Sequence, residues 1–191
     1  MSASDVRFME MAISQAQRSE PVPSAYCVGA VLVKDNQVLA TGYSRELPGN
    51  THAEECCLLK LSDMTVAEGA TIYTTMEPCG ERLSGKNPCA HRLIDAKVER
   101  VVMGVKEPPN FIAECQGSAL LRTKGITVDY LAGFEGMLRS VHESFGSSLD
   151  TLCFPRSRGV LGAKQACHLA KKDVLRCIPP LRALLASVNI H

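Results

Sequence analysis

The chain has 191 residues, 46% of them hydrophobic, with 21 Lys and Arg against 20 Asp and Glu. That is the size and balance of one globular domain with a little to spare. A net charge of +1, five Phe, four Tyr and no Trp count against nucleic acid, which asks for a basic face and aromatic stacking platforms. No apolar run reaches membrane-spanning length, which argues against a membrane partner.

In chain order, MSASDVRFMEMAISQAQ carries acids early and reads as an amphipathic helix, unlike a signal or transit peptide. The spacing predicts a helix over 5–18 capped by Ser4, with Val6, Met9, Ile13 and Ala16 on its apolar face. An odd count of nine cysteines and no export signal predict reduced thiols and a cytoplasmic setting. The run YCVGAVLV (26–33) is a β-branched strand, KDNQ turns it, and VLATGYS (38–44) is its hairpin partner. A loop over 45–51 leads into HAEECCLLKL, helical by its Leu and Cys spacing. Strands follow at 70–75, 100–105 and 126–131, separated by helices near 89–96 and 117–124. This order predicts an α/β fold with a mixed sheet covered on both faces.

The character changes at about residue 146, so the expected domain is 1–146 with an extension over 147–191. GSSLDTLCFPRSRG is linker-like, and the segment after it reads as a helix broken at Pro179 and Pro180. From Asp150 onward seven Lys and Arg stand against two acids. A solvated helix with one apolar face is the plain reading of that tail; docking on the body, a partner or RNA stays open.

Chemistry concentrates in three short stretches. His52 and Glu54 form an H-x-E at the predicted start of a helix, and Cys79 and Cys89 each follow a proline. Proline favours the first helical turn, where unpaired N–H groups favour a thiolate. One imidazole and two thiolates suit Zn²⁺ and leave a fourth tetrahedral position for water. Zinc lowers the pKa of such a water from near 16 to about 7. Glu54 is then an unligated carboxylate placed to move protons. H-x-E followed by P-C-x-x-C is a signature of zinc nucleobase deaminases; here GERLSGKNP stands where that pattern has two residues. The longer loop, anchored at both ends by cysteines, must form part of the pocket wall. Cys27, Cys56, Cys57 and Cys115 fall in helix or strand patterns and are assigned to packing. His91 and His142, inside helical stretches, are set aside as ligands.

On these residues the chain resembles the cytidine-deaminase superfamily. Within it, GYSRELPGNTHAEECCL, TTMEPCGERLSGKNPC and GVKEPPNF are similar to the pyrimidine deaminases of riboflavin biosynthesis, especially the fungal stand-alone type. The resemblance covers roughly residues 5–133. It implies a three-layer α/β/α fold with a five-stranded mixed sheet and a homodimer. It also implies zinc-dependent hydrolytic deamination of 2,5-diamino-6-ribitylamino-4(3H)-pyrimidinone 5′-phosphate, a small phosphorylated pyrimidine. By position it further implies that Asn50, the backbone N–H of Ala53, Lys86 and Glu107 contact substrate, Lys86 on the phosphate side. Two other readings stay open at this point: deamination of a nucleoside, nucleotide or RNA base, and a zinc-stabilised scaffold without activity.

Overall fold

The computed structural model describes residues 2–107 and 115–136. Within them the elements run α1 (Ala3–Ala16), β1 (Gly29–Lys34), β2 (Gln37–Tyr43), α2 (Ala53–Leu59), a 3-10 turn (Met64–Ala67), β3 (Thr71–Met76), α3 (Cys89–Asp95), β4 (Arg100–Val105), α4 (Gly117–Thr123) and β5 (Thr127–Tyr130). The expected boundary at 146/147 and the C-terminal extension lie outside the described residues.

The five strands form one mixed sheet in the order β2-β1-β3-β4-β5. β1 pairs antiparallel with β2 and β3, while β3–β4 and β4–β5 are parallel. Asp35 and Asn36, both with positive φ, make the tight hairpin turn between β1 and β2; Asn and Asp tolerate that backbone better than most residues. Helices cover both faces, as the α/β/α expectation requires. On one side α1 buries Phe8, Met9, Ala12 and Ile13, and the Phe8 ring lies 5.1 Å from the Tyr73 ring of β3. On the other side α2, α3 and α4 share a core with Ala30, Leu32, Ile72, Val101 and Met103, all alternating inward along their strands.

Two glycines let helices sit down on the hairpin. A Cβ at Gly29 would run into the Ala12 carbonyl under α1, and one at Gly42 would run into the Ala53 carbonyl under α2. The second contact seats the N-terminal end of α2, which carries the H-x-E pair, directly on β2.

The first helix begins two residues earlier than Ser4-capping predicts. The Ser2 hydroxyl accepts the Asp5 N–H at 3.1 Å and the Asp5 carboxylate accepts the Ser2 N–H at 3.0 Å, a reciprocal capping box. Val6 is half-buried on this helix, whereas Asp5 and Phe8 are buried.

Asp5 does more than cap. It accepts from Tyr73 Oη at 2.9 Å and from Arg100 Nη1 at 2.7 Å, and Arg100 Nε reaches Asp129 at 2.7 Å. One buried carboxylate thus ties α1 to β3 and β4. The Arg100 guanidinium holds the Asp5 carboxyl well below the usual carboxylate range, against the upward push of burial. A carboxyl depressed by folding contributes stability above its unfolded value near 3.9, and that contribution fades as pH falls through the lower folded value. Asp5→Asn should therefore cost about 2 kcal/mol at neutral pH and lose less additional stability than the parent below about pH 4. Denaturant melts across pH check both parts; parallel curves for the two proteins would contradict the assignment.

Candidate active site

The N-terminal end of α2, the C-terminal end of β3 and the start of α3 meet at one point. His52 is the N-cap of α2, Cys79 lies just past β3, and Cys89 is the first residue of α3 behind Pro88. Cys79 Sγ is 3.5 Å and Cys89 Sγ 3.4 Å from His52 Nδ1. No other group of three His, Cys, Asp or Glu among the described residues comes together in this way. A tetrahedral zinc with ordinary Zn–N and Zn–S bonds would set nitrogen–sulfur edges of about 3.6 Å. The three atoms already have that spacing, and the donor set is the one zinc prefers. They fit the metal.

The backbone prepares the sulfurs. The Cys89 N–H donates to Cys79 Sγ at 3.3 Å, and the Ala90 N–H donates to the Cys79 carbonyl at 3.1 Å. The Cys79 thiol is drawn down, first by its hydrogen bond with the Cys89 thiol and then by His52, against burial. The Cys89 thiol is pushed up by the same shared hydrogen bond and by its complete burial. Burial works to lower the His52 imidazole, but the hydrogen bond and charge of Cys79, with the charge of Glu54, leave it raised. Zinc takes these donors as thiolates and a neutral imidazole, so binding there would release the protons they carry.

Glu54 lies on α2 two residues after His52 and is 3% exposed. Its Oε1 accepts from the Thr74 hydroxyl of β3 at 3.1 Å, and that hydroxyl is also 3.0 Å from the Met76 carbonyl. Desolvation pushes the Glu54 carboxyl up, with the His52 charge acting the other way. A buried carboxyl that takes and holds a proton readily is suited to proton transfer.

These groups open onto a cavity of about 210 Å³. Asn50, His52, Glu54, Cys79 and Glu107 all line it. Asn50 has positive φ, which Asn accepts, and its carbonyl takes a 2.8 Å hydrogen bond from Arg82 Nη2. Glu107 stands at the end of β4; burial pushes its carboxyl up to about 7, and its Oε2 has no hydrogen-bond partner among the described residues. Ala53 is buried as the first residue of α2 and does not itself line the cavity. Lys86 is exposed on the inter-cysteine loop, with Nζ donating to the Gly49 carbonyl, and is likewise not among the lining residues.

Of the cysteines assigned to packing, Cys27, Cys56 and Cys57 are buried and Cys115 is half-buried. His91 faces solvent on α3, and His142 lies outside the described residues. The sequence reading passes over Thr74, Glu55, Arg82 and Arg92. Arg82 in particular lines the cavity and is almost fully buried, which nothing in a stretch reading G-E-R-L-S-G-K-N announces.

A histidine and two cysteines around an open tetrahedral position, with a buried glutamate beside them, define a zinc deaminase type of centre on an α/β/α sheet. The chain belongs to the cytidine and deoxycytidylate deaminase zinc-binding family, whose pattern matches residues 2–105 and so includes all three donors. Zinc is accordingly the metal for this donor set. Among its relatives, the chain is 48% identical over 124 residues to the diaminohydroxyphosphoribosylamino-pyrimidine deaminase of Schizosaccharomyces pombe, covering 63% of this chain and 30% of that protein. It is 34% identical over 145 residues to the riboflavin biosynthesis protein RibD of Aquifex aeolicus, covering 74% and 38%. The chain thus spans about a third of the length of these curated relatives. Its fold superposes on a C-terminal deletion mutant of the Aspergillus oryzae Rib2 deaminase in complex with DARIPP, with a TM-score of 0.63 and 34% identity, over 73% of this chain and 90% of that one.

Proposed function

We propose that this chain hydrolytically deaminates 2,5-diamino-6-ribitylamino-4(3H)-pyrimidinone 5′-phosphate: water adds to the ring carbon bearing the amino group, that C–N bond breaks, and ammonia leaves. The convergence of His52, Cys79 and Cys89 beside buried Glu54 carries the reading. The likeness to named riboflavin-pathway deaminases and to a DARIPP complex supports the substrate class.

In this reading His52 Nδ1, Cys79 Sγ and Cys89 Sγ hold one zinc ion. Bound there, zinc supplies a water acidic enough to act as nucleophile at neutral pH. Glu54 would take a proton from the attacking water and give it to the adjacent ring nitrogen, then carry the remaining proton of the added oxygen to the amino group, so that the C–N bond breaks, a ring carbonyl forms and ammonia leaves. Thr74, donating to Oε1, keeps the other carboxylate oxygen free for this traffic. The Ala53 N–H and the Asn50 side chain orient the ring at the mouth of α2. Glu107, with a lone oxygen inside the cavity, accepts from the N–H donors along the ring edge. Lys86 on the rim meets the phosphate as an exposed, mobile point charge.

A homodimer and a cytosolic setting belong to the same proposal. Two ligand thiols that must stay reduced fit a reducing compartment, and no helix among the described residues is long and apolar enough to cross a membrane.

The test is ammonia release from four substrates: the riboflavin-pathway pyrimidine phosphate, its dephosphorylated form, cytidine and a tRNA. The phosphorylated pyrimidine should turn over fastest, with the dephosphorylated form penalised mainly in KM. Faster turnover of cytidine or tRNA would overturn the substrate assignment, and no turnover by zinc-loaded protein on any of the four would favour a scaffold.

A further inference from the structure

Each of the three metal-ligating residues is followed, three positions later, by a charged side chain: Glu55 after His52, Arg82 after Cys79 and Arg92 after Cys89. The three charges meet. Glu55 Oε2 accepts from Arg82 Nη1 at 2.8 Å and Glu55 Oε1 from Arg92 Nη2 at 2.8 Å. Behind the ring of donors lies a second ring built on the same three chain segments.

Every member of that second ring also grips the backbone beside a ligand. Glu55 Oε2 accepts the His52 N–H at 3.3 Å, closing the capping box of α2. Arg82 Nη2 donates to the carbonyl of Asn50, two residues before His52, at 2.8 Å. Arg92 Nε donates to the carbonyl of Asn87, two residues before Cys89, at 3.1 Å. The offset of three is what helix geometry asks for on α2 and α3, where such residues share a face.

The inter-cysteine loop shows how much hangs on this. Between Gly80 and Pro88 only Arg82 is buried, while Glu81 and residues 83–87 are exposed and Leu83 is 77% exposed. The loop therefore has no apolar anchor of its own. Its one inward side chain is a cation held by Glu55 and by the Asn50 carbonyl, and breaking such a buried pair leaves an uncompensated charge.

We propose that Glu55, Arg82 and Arg92 are positioning residues that preset the three donor atoms and so govern how slowly zinc is lost; this rests on the zinc site of the proposed function. None of the three is among the donors that would hold the metal, and of the three only Arg82 lines the cavity. Outer partners of metal ligands typically change affinity by about 10- to 100-fold, and that is the expected scale.

The experiment follows zinc transfer from the loaded full-length chain to the chromogenic chelator 4-(2-pyridylazo)resorcinol, for the parent, Arg92→Met, Arg92→Lys and Arg100→Met. Arg92 is chosen because its side chain is 25% exposed, so its replacement leaves a smaller hole than Arg82. Arg100→Met breaks the Asp5 and Asp129 pairs and serves as a control for lost stability remote from the metal. The parent should carry one zinc per chain. Arg92→Met should release it about 10- to 100-fold faster, and Arg92→Lys should be intermediate, because one flexible ammonium replaces the two fixed donors, Nε and Nη2, that Arg92 gives to Asn87 and Glu55. Arg100→Met should melt earlier yet release zinc at the parent rate. Release from Arg92→Met at the parent rate overturns the triad alone, as does equal acceleration in Arg100→Met. Should Arg92→Met fail to fold, the Lys variant carries the comparison, and parent-like release from it overturns the proposal. A parent that binds no stoichiometric zinc sinks the underlying metal site instead.

Discussion

The Glu54→Gln protein should fold, bind one zinc per chain and release ammonia about 10²–10⁴-fold more slowly than the parent. The substitution is nearly isosteric. Oε1 of Glu54 accepts from the Thr74 hydroxyl, and the amide oxygen of glutamine can accept the same bond. Glutamine also leaves the burial of the site unchanged, so neither the seat of α2 on β2 nor the spacing of the three donors has reason to move. What disappears is the capacity to take a proton and give it back. Because that capacity matters in the transition state rather than in binding, kcat should carry the loss and KM should change little. A variant retaining more than about a tenth of parental turnover would remove Glu54 from the proton path.

Cys89→Ser should do at least as much damage by a different route. Cys89 is fully buried at the first turn of α3, with its sulfur 3.4 Å from His52 Nδ1. A serine hydroxyl stays protonated at neutral pH and cannot replace a thiolate donor. Losing a direct ligand must weaken zinc binding by more than the roughly 10- to 100-fold that outer partners cost, so zinc content and ammonia release should fall together. Cys57→Ser is the matched control. That thiol is equally buried, packs within the core and donates to the carbonyls of Ala30 and Ala40 rather than meeting His52. It should lose some stability while keeping its zinc. If metal content in the Cys89 and Cys57 variants falls alike, the sulfurs are not distinguished by ligation and the site assignment fails.

The sequence carries the strands and the chemistry more clearly than the connections between them. AVLV and RVVMGV are β-branched runs that could hardly be anything else, and β4 coincides with its expected range. His52, Cys79 and Cys89 stand out because a helix start and two Pro-Cys pairs occur in the order the zinc chemistry needs. Where local options compete, the linear reading slips: Ser2 and Ser4 are both good caps, and the Asp5 side chain decides between them. The 3-10 turn at Met64–Ala67 has too short a pattern to register. Thr74, Arg82 and Arg92 are silent in the sequence because their roles exist only once segments tens of residues apart are brought together. An arginine in a polar loop looks solvated until its partner is known. The offset of three from each ligand was visible throughout, but only the ion pairs give it meaning. Conversely, Lys86 looks well placed by motif, and the structure sets it exposed beside the Gly49 carbonyl rather than among the cavity-lining residues.

The most direct test is anomalous diffraction at the zinc absorption edge from crystals of the zinc-loaded full chain. A single strong peak is expected about 2.0–2.1 Å from His52 Nδ1 and about 2.3 Å from both Cys79 Sγ and Cys89 Sγ, with the fourth direction facing Glu54 and free of protein atoms. A peak elsewhere, or a fourth protein ligand closing that direction, would contradict it.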